Sequence, residues 1–329
     1  MIRVLVTGAG AVLGQGIINA LRRSSLDVEI AAADPNPLSP GLFWVNRGYV
    51  IPMANDAGFL PRFEEVLAAE RPDVVLVGTD VELPIFAEHR DELEARHGTR
   101  ILVSSPEVVR IADDKWETFR FCRDAGLDPP LSALPEDEQA LQALIERCGF
   151  PLVVKPRVGA RSMGVSLAHN EEELRLALAG RAGLVVQQVA GAADCEFTAS
   201  ALVFDGNAHA SIVMRRDLRD GNTHRAFAEP YPELNAFVRR AAEALQPHGP
   251  VNFQFRTDAQ GEPHIFEINA RFSGATPLRA LVGFNEVEMC LRHLLLGEAV
   301  RQPAEFMQGV VLRHLSETLV TAAELDALR

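Results

Sequence analysis

Two short stretches carry the most specific chemistry of the sequence. Gly249-Pro250-Val251-Asn252-Phe253-Gln254-Phe255-Arg256 and His264-Ile265-Phe266-Glu267-Ile268-Asn269-Ala270-Arg271 both alternate polar with apolar residues, separated by a turn at Thr257 to Pro263. Period-two alternation marks strands with one wet face. If Ala259-Gln260-Gly261-Glu262 is a four-residue hairpin loop, Gln254 lies opposite Glu267 and Asn252 opposite Asn269. One face then gathers Asn252, Gln254, Glu267, Asn269 and Arg271, while Val251, Phe253, Phe255, Ile265 and Ile268 pack into a core. The oxygens of Gln254, Glu267 and Asn269 suit Mg2+, with Mn2+ as a substitute. Such a hard ion takes few protein ligands and completes its shell with phosphate oxygens and water. Arg271, further along the same face, is placed to meet a transferred phosphate.

Cations for such a phosphate stand earlier in the chain. Pro151-Leu152-Val153-Val154-Lys155-Pro156 reads as a strand, and Arg157-Val158-Gly159-Ala160-Arg161-Ser162-Met163-Gly164-Val165 as a small-residue loop leading to another strand. Backbone N–H groups in such a loop, Ser162 and Gly164 among them, can approach phosphate oxygens closely. An ammonium in an apolar strand is costly alone, so Lys155 demands an anion or a carboxylate partner. The lysine precedes the loop, so this is not the GxxxxGK[ST] phosphate motif. Asp113-Asp114-Lys115 opens a helix; alone it reads as a cap followed by a solvated charge.

The strand Leu184 to Gln188 is followed by a turn and by Glu196, suited either to ribose hydroxyls or to the exposed start of a strand. Arg215 and Arg216 follow the strand Ala210 to Met214. Alternation lets only one of them face a cleft and does not select which; Arg215 is grouped with the catalytic candidates and Arg216 with the substrate contacts. Thr79-Asp80-Val81-Glu82 lies beyond a strand end, where open α/β sheets place ligands. Asp80 or Glu82 is suited to a substrate ammonium, or equally to the first turn of a helix. Ser273, within Phe272-Ser273-Gly274-Ala275-Thr276, is a further substrate candidate.

These residues need scaffolds. Ile2 to Val6, the turn Thr7 to Gly14 and a helix from Gln15 to Arg23 form a strand, glycine turn and helix; Val28 to Ala33 and Val74 to Val77 are further strands. The alternation predicts a doubly wound parallel sheet over residues 1–105. The Gly8–Gly14 loop with Asp34 fits a dinucleotide, or a purely structural turn. A boundary near Ser104-Ser105-Pro106 opens a second domain over 106–329. The apolar helix Val287 to Leu296 is suited to cover a lobe or a partner, a second copy included.

The 329 residues suffice for two or three lobes. A net charge of −13 argues against nucleic acid or an anionic membrane as partner. The chain enters a strand at once, with no leader pattern, and no window reaches about 18 uninterrupted apolar residues, so a cytoplasmic protein is expected. Cys122, Cys148, Cys195 and Cys290 lack CxxC spacing and read as incidental thiols.

VVKPRVGARSMGV, DDKWETF and EINAR together resemble the ATP-grasp superfamily, most closely the branch of the carbamoyl-phosphate synthase large subunit. The resemblance implies a pre-ATP-grasp lobe at about 1–105 and then a two-part grasp fold, α/β and α+β, with a small nucleotide-covering part at about 118–190 and a central part at about 191–329. By that resemblance Lys115 and Lys155 contact nucleotide phosphates, Gln187 and Gln188 lie in the adenine-side hinge, Glu196 takes the ribose, and Gln254, Glu267 and Asn269 bind magnesium. Arg271 looks like the arginine at the acyl phosphate, and Arg215 or Arg216 also meets the γ-phosphate. The implied cofactors are ATP and Mg2+, and the implied reaction joins a small-molecule carboxylate to an amine through an acyl phosphate. Phosphorylation without ligation and a non-catalytic nucleotide-binding subunit are the alternatives. The hinge, Gln187-Gln188-Val189, departs from the glutamate beside an aromatic found in many members, and a single grasp module makes carbamoyl phosphate synthesis by this chain alone improbable.

Overall fold

The computed structural model describes residues 1–159, 163–192 and 194–328. The first lobe runs β1 (Ile2–Val6), α1 (Val12–Leu21), β2 (Val28–Asp34), β3 (Arg47–Val50), α2 (Phe59–Glu70), β4 (Val74–Leu76), α3 (Leu83–His97) and β5 (Arg100–Leu102). Its five strands are all parallel, in the order β3-β2-β1-β4-β5. Strands buried on both faces read as unbroken apolar runs, and Val74, Val75 and Leu76 are all solvent-free. Order reverses between β1 and β4, and the loops after these two strands, Thr7 to Ala11 and Val77 to Asp80, therefore meet at the crevice where such sheets take ligands. Close approach there requires glycine: a Cβ on Gly78 would lie 2.1 Å from the Thr7 carbonyl oxygen.

The chain continues through α4 (Pro106–Asp113), α5 (Lys115–Asp124), β6 (Ser132–Ala133), α6 (Glu138–Cys148), β7 (Leu152–Pro156), β8 (Ser166–Ala168), α7 (Glu171–Leu178) and β9 (Leu184–Gln188). These strands form a small antiparallel sheet, β6-β9-β7-β8, with α6 and α7 packed on it around Leu144, Leu152, Leu174 and Val186. The remainder is β10 (Glu196–Phe204), β11 (Asn207–Arg219), β12 (Asn222–Ala228), α8 (Pro232–Leu245), β13 (Gly249–Thr257), β14 (Pro263–Asn269), α9 (Thr276–Leu281), α10 (Glu286–Leu296), β15 (Gly309–Leu312) and α11 (Ala322–Asp326). Its antiparallel sheet has the order β14-β13-β10-β11-β12-β15.

One apolar core is shared between lobes. Val4, Val6 and Ile17 of the first lobe belong to the same buried cluster as Leu202 and Ile212 of the large sheet and Val287 and Leu291 of α10. α10 therefore covers a lobe of its own chain. Among the described residues no helix is long and apolar enough to cross a membrane.

Candidate active site

A cavity of about 630 Å³ lies among the lobes. The small sheet contributes Lys155 and Gln187, the large sheet Arg216, Gln254 and Glu267, and the first lobe Asp80.

The β13–β14 hairpin supplies the cavity floor. Asn252 pairs with Asn269 and Gln254 with Glu267, the register that alternation requires. Two details differ from strict alternation. Thr257 pairs with Pro263, so the loop has one residue more, Asp258 to Glu262, closed by Asp258 Oδ1 accepting the N–H groups of Gln260 and Glu262 at 2.9 Å each. A β-bulge between Gln254 and Phe255 absorbs the extra residue. Ile265 and Ile268 are both buried, at 1% and 0% exposure, and the two residues between them, Phe266 and Glu267, line the cavity side by side.

Glu267 Oε1 accepts hydrogen bonds from Gln254 Nε2 and Asn269 Nδ2, each at 3.1 Å. The amide oxygens face arginines: Arg216 Nη2 donates to Gln254 Oε1 at 2.6 Å and Arg271 Nη2 to Asn269 Oδ1 at 2.8 Å. Amide orientation follows the hydrogen-bond network, and each amide oxygen has a second lone pair beside the one its arginine takes. One carboxylate and two amide oxygens within one hydrogen-bond shell are a hard donor set that fits Mg2+. Among the described residues no group of three His, Cys, Asp or Glu could hold a metal, so phosphate oxygens would have to supply most of the negative charge at such an ion.

Lys155 reaches the cavity from β7. It is 6% exposed and donates from Nζ to Gln187 Oε1 at 2.7 Å and to the Phe266 carbonyl at 3.4 Å, with the Phe266 ring centroid 5.8 Å away. Burial lowers its pKa to about 8; the Glu267 charge opposes that fall and Lys115 adds to it. Gln187 is itself fixed, donating to Ser132 Oγ at 2.9 Å, and Gln188 and Val189 continue the wall. Lys115 Nζ donates to the Gly159 carbonyl at 2.7 Å. Asp114 caps α5 by accepting the Trp116 N–H at 2.8 Å and grips Arg157, tying Lys115 to the loop after β7. Burial raises the pKa of the Asp114 carboxyl, and the bonds from Arg157 and the helix N–H groups outweigh it, leaving a net lowering. Ser162 lies outside the described residues. Gly164 accepts from Arg181 Nη2 at 2.7 Å, and its neighbours Met163 and Val165 are the ones that line the cavity.

Several expectations need correction. Arg215, grouped with the catalytic candidates, is on the wrong face of β11: its guanidinium lies 3.6 Å from the Phe227 ring centroid and bonds Asp217. Arg216 is the one that lines the cavity, 7% exposed. Glu196 lines the cavity without a free carboxylate: Arg216 donates to Oε1 at 2.7 and 3.0 Å and Arg256 to Oε2 at 2.8 and 2.9 Å. A ribose hydroxyl would have to displace a guanidinium. Glu82 is turned inward, 2% exposed and hydrogen-bonded to Thr7 Oγ1; burial, with a smaller push from Asp34, raises its pKa to about 8. A carboxyl neutral at pH 7 and closed off from the cavity holds no ammonium. Ser273 lines the cavity, and its Oγ accepts from the Ala275 N–H and from Arg279 Nη1, which leaves only its hydroxyl proton to offer. Asp80 faces the cavity, but Arg271 grips both its oxygens.

In the first lobe Asp34 accepts from Gly10 N at 2.7 Å, Asn36 N at 3.0 Å and Ser39 Oγ at 2.6 Å, so the carboxylate that a dinucleotide ribose would need braces the glycine loop itself. A Cβ on Gly10 would lie 2.1 Å from Ser39 Oγ. These bonds count against a dinucleotide ribose on Asp34, while Ala11, Val12 and Leu13 of the loop line the cavity. Sequence reasoning also missed Phe266, hidden by the bulge, and Arg256, whose role depends on a neighbouring strand.

Residues 184–318 match the family described as ATP-grasp in the biosynthetic pathway with Ter operon, and residues 112–228 match the RimK-like ATP-grasp domain. The chain is 28% identical over 186 residues to the carbamoyl phosphate synthase large chain of Gemmatimonas aurantiaca, covering 52% of this chain and 16% of that one. The Methanosarcina mazei large chain is 22% identical over 306 residues, covering 84% and 28%. The chain thus spans under a third of the length of these relatives. Among solved structures, the biotin carboxylase domain dimer of Hydrogenobacter thermophilus 2-oxoglutarate carboxylase, in complex with MgADP, ADP and bicarbonate, aligns with a TM-score of 0.72 at 18% identity, covering 94% of this chain and 73% of that one.

Proposed function

We propose that this ATP-grasp protein, similar to part of the carbamoyl-phosphate synthase large chain, uses ATP to activate a small-molecule carboxylate as an acyl phosphate for attack by an amine, releasing ADP and phosphate. The observation that carries the reading is the convergence of a buried ammonium, Lys155, with the oxygen-donor set Glu267, Gln254 and Asn269 in one cavity. Burying that ammonium beside a lone carboxylate is costly unless an anion completes the site.

Lys155 and Lys115 would hold nucleotide phosphates from above, with Gln187, Gln188 and Val189 along the base. Glu267, Gln254 and Asn269 would hold Mg2+, which would supply charge neutralisation for the phosphates. Arg216 and Arg271 face the charge that develops as the substrate carboxylate oxygen attacks the γ-phosphorus and the bond to the β,γ-bridging oxygen breaks. The amine nitrogen then bonds the acyl carbon, the carbon–oxygen bond to phosphate breaks, and the amine proton leaves to solvent. Such a reaction requires alignment and charge neutralisation and no nucleophilic side chain.

The test is ADP release across pairs of amino acids and other small carboxylates and amines, in wild type and Glu267→Ala. Wild type should release ADP with one pair and form an amide; Glu267→Ala should lose at least about a hundredfold in rate and its magnesium-dependent ATP affinity. Unchanged activity or affinity in the variant would refute the site. An acyl phosphate that hydroxylamine traps, with no amide formed, would replace ligation by simple phosphoryl transfer. ATP binding without turnover across the panel would point to a nucleotide-binding subunit.

A further inference from the structure

Arg271 and Asp80 lie 191 positions apart in the chain and join the floor of the cavity to the first lobe. The contact is bidentate: Nε donates to Oδ1 at 2.6 Å and Nη2 to Oδ2 at 3.0 Å. Arg271 also donates to Asn269 Oδ1 at 2.8 Å and to the Phe272 carbonyl at 3.1 Å. Its side chain is only 10% exposed and that of Asp80 34% exposed. A guanidinium has five N–H groups; these contacts engage Nε, both N–H groups of Nη2 and one of Nη1. Among the described residues a single N–H, on Nη1, is left for a ligand, in the plane that Asp80 imposes.

Asp80 has no other assigned work. It opens a short turn, Asp80–Glu82, whose preceding residue Thr79 makes no side-chain cap. Both its oxygens meet Arg271, so it does not serve as a cap. A fork-to-fork carboxylate pair sets both distance and plane, which a single lysine-like contact would not.

We infer that Asp80 is a positioning residue that orients Arg271 toward the terminal phosphate of the bound nucleotide, so that the first lobe completes the phosphoryl site. This rests on the reading of Arg271 proposed above. Loss of the pair removes the two bonds that tie the guanidinium to the first lobe and leaves it held by Asn269 and the Phe272 carbonyl, both of the large sheet's own segment.

The experiment measures MgATP and MgADP affinities by calorimetry for wild type, Asp80→Asn, Asp80→Glu, Arg271→Met and the Asp80→Asn/Arg271→Met double variant. MgADP affinity also reports folding, because the diphosphate site lies on Lys155 and Lys115. Asp80→Asn should keep wild-type MgADP affinity and lower the ATP-to-ADP affinity ratio roughly tenfold, the scale of one charge-assisted hydrogen bond. Asp80→Glu should restore most of the ratio. In the Arg271→Met background the second substitution should change nothing further. An unaltered ratio in Asp80→Asn with a lowered one in Arg271→Met overturns the positioning role alone, as do additive effects in the double variant. An unaltered ratio in Arg271→Met overturns the phosphoryl role of Arg271 and the inference with it.

Discussion

Replacing Lys155 by methionine should stabilise the nucleotide-free protein at neutral pH while removing its response to nucleotide. An ordinary lysine titrates at 10.5 and Lys155 at about 8. That difference corresponds to about 3 kcal/mol of destabilisation from holding the ammonium in the fold. The sign follows from the proton balance. Between about 8 and 10.5 the unfolded chain keeps the proton and the folded one sheds it, so wild-type stability rises with pH through that window. Below about pH 8 the whole cost is present. Methionine has similar length and no charge, but it strands Gln187 Oε1, which now accepts from Lys155; an orphaned buried acceptor costs about 1–2 kcal/mol. The net gain for Lys155→Met at pH 7 is then about 1–2 kcal/mol. By pH 10 the wild-type burden has fallen to about 1 kcal/mol and the variant should have lost its advantage. Urea denaturation of both proteins at pH 7, 9 and 10 reads the difference, and thermal unfolding with and without MgATP reads ligand stabilisation. A stability difference that does not move with pH would refute the strained ammonium, and equal protection by MgATP would refute the phosphate cation.

The two adjacent arginines of β11 separate cleanly: Arg216→Ala should abolish ADP release, whereas Arg215→Ala, which frees only the Phe227 ring and Asp217, should keep activity within about threefold, and equal losses would contradict the assignment of faces. Glu82 has a raised pKa of about 8, so the folded state holds its proton between about 4.5 and 8 and wild type loses stability as pH climbs through that range. Glu82→Gln should therefore gain on wild type steadily from pH 5 to pH 8 in denaturant melts; a constant difference would show an ionised Glu82.

Much of this arrangement was legible in the residues because β-structure repeats every two positions. Alternation set which residues share the wet face, since slipping by one would have driven Phe253 and Ile268 into water; the pairing of Gln254 with Glu267 rested on a four-residue loop and holds because the bulge offsets the longer turn. The bulge at Phe266 was illegible, because one unpaired residue leaves no mark on composition. The choice between Arg215 and Arg216 failed for a different reason: Val213 and Met214 are both fully buried, so β11 is covered on both sides and gives no phase. Glu196 looked like an open carboxylate because its partners, Arg216 and Arg256, come from strands on either side. Asp80 and Arg271 illustrate the limit most plainly. Local spacing carries no information about a pair that lies 191 positions apart and on two lobes.

The bulged hairpin has a practical consequence. Its inner half is anchored by core side chains, and the bulge takes up the surplus residue of the Asp258–Glu262 turn. The bulge thus stands between the turn and the Gln254–Glu267 pair. The turn is therefore the place to try an insertion: a peptide tag or fluorophore grafted there would sit at the far end of the strand pair that carries Gln254 and Glu267.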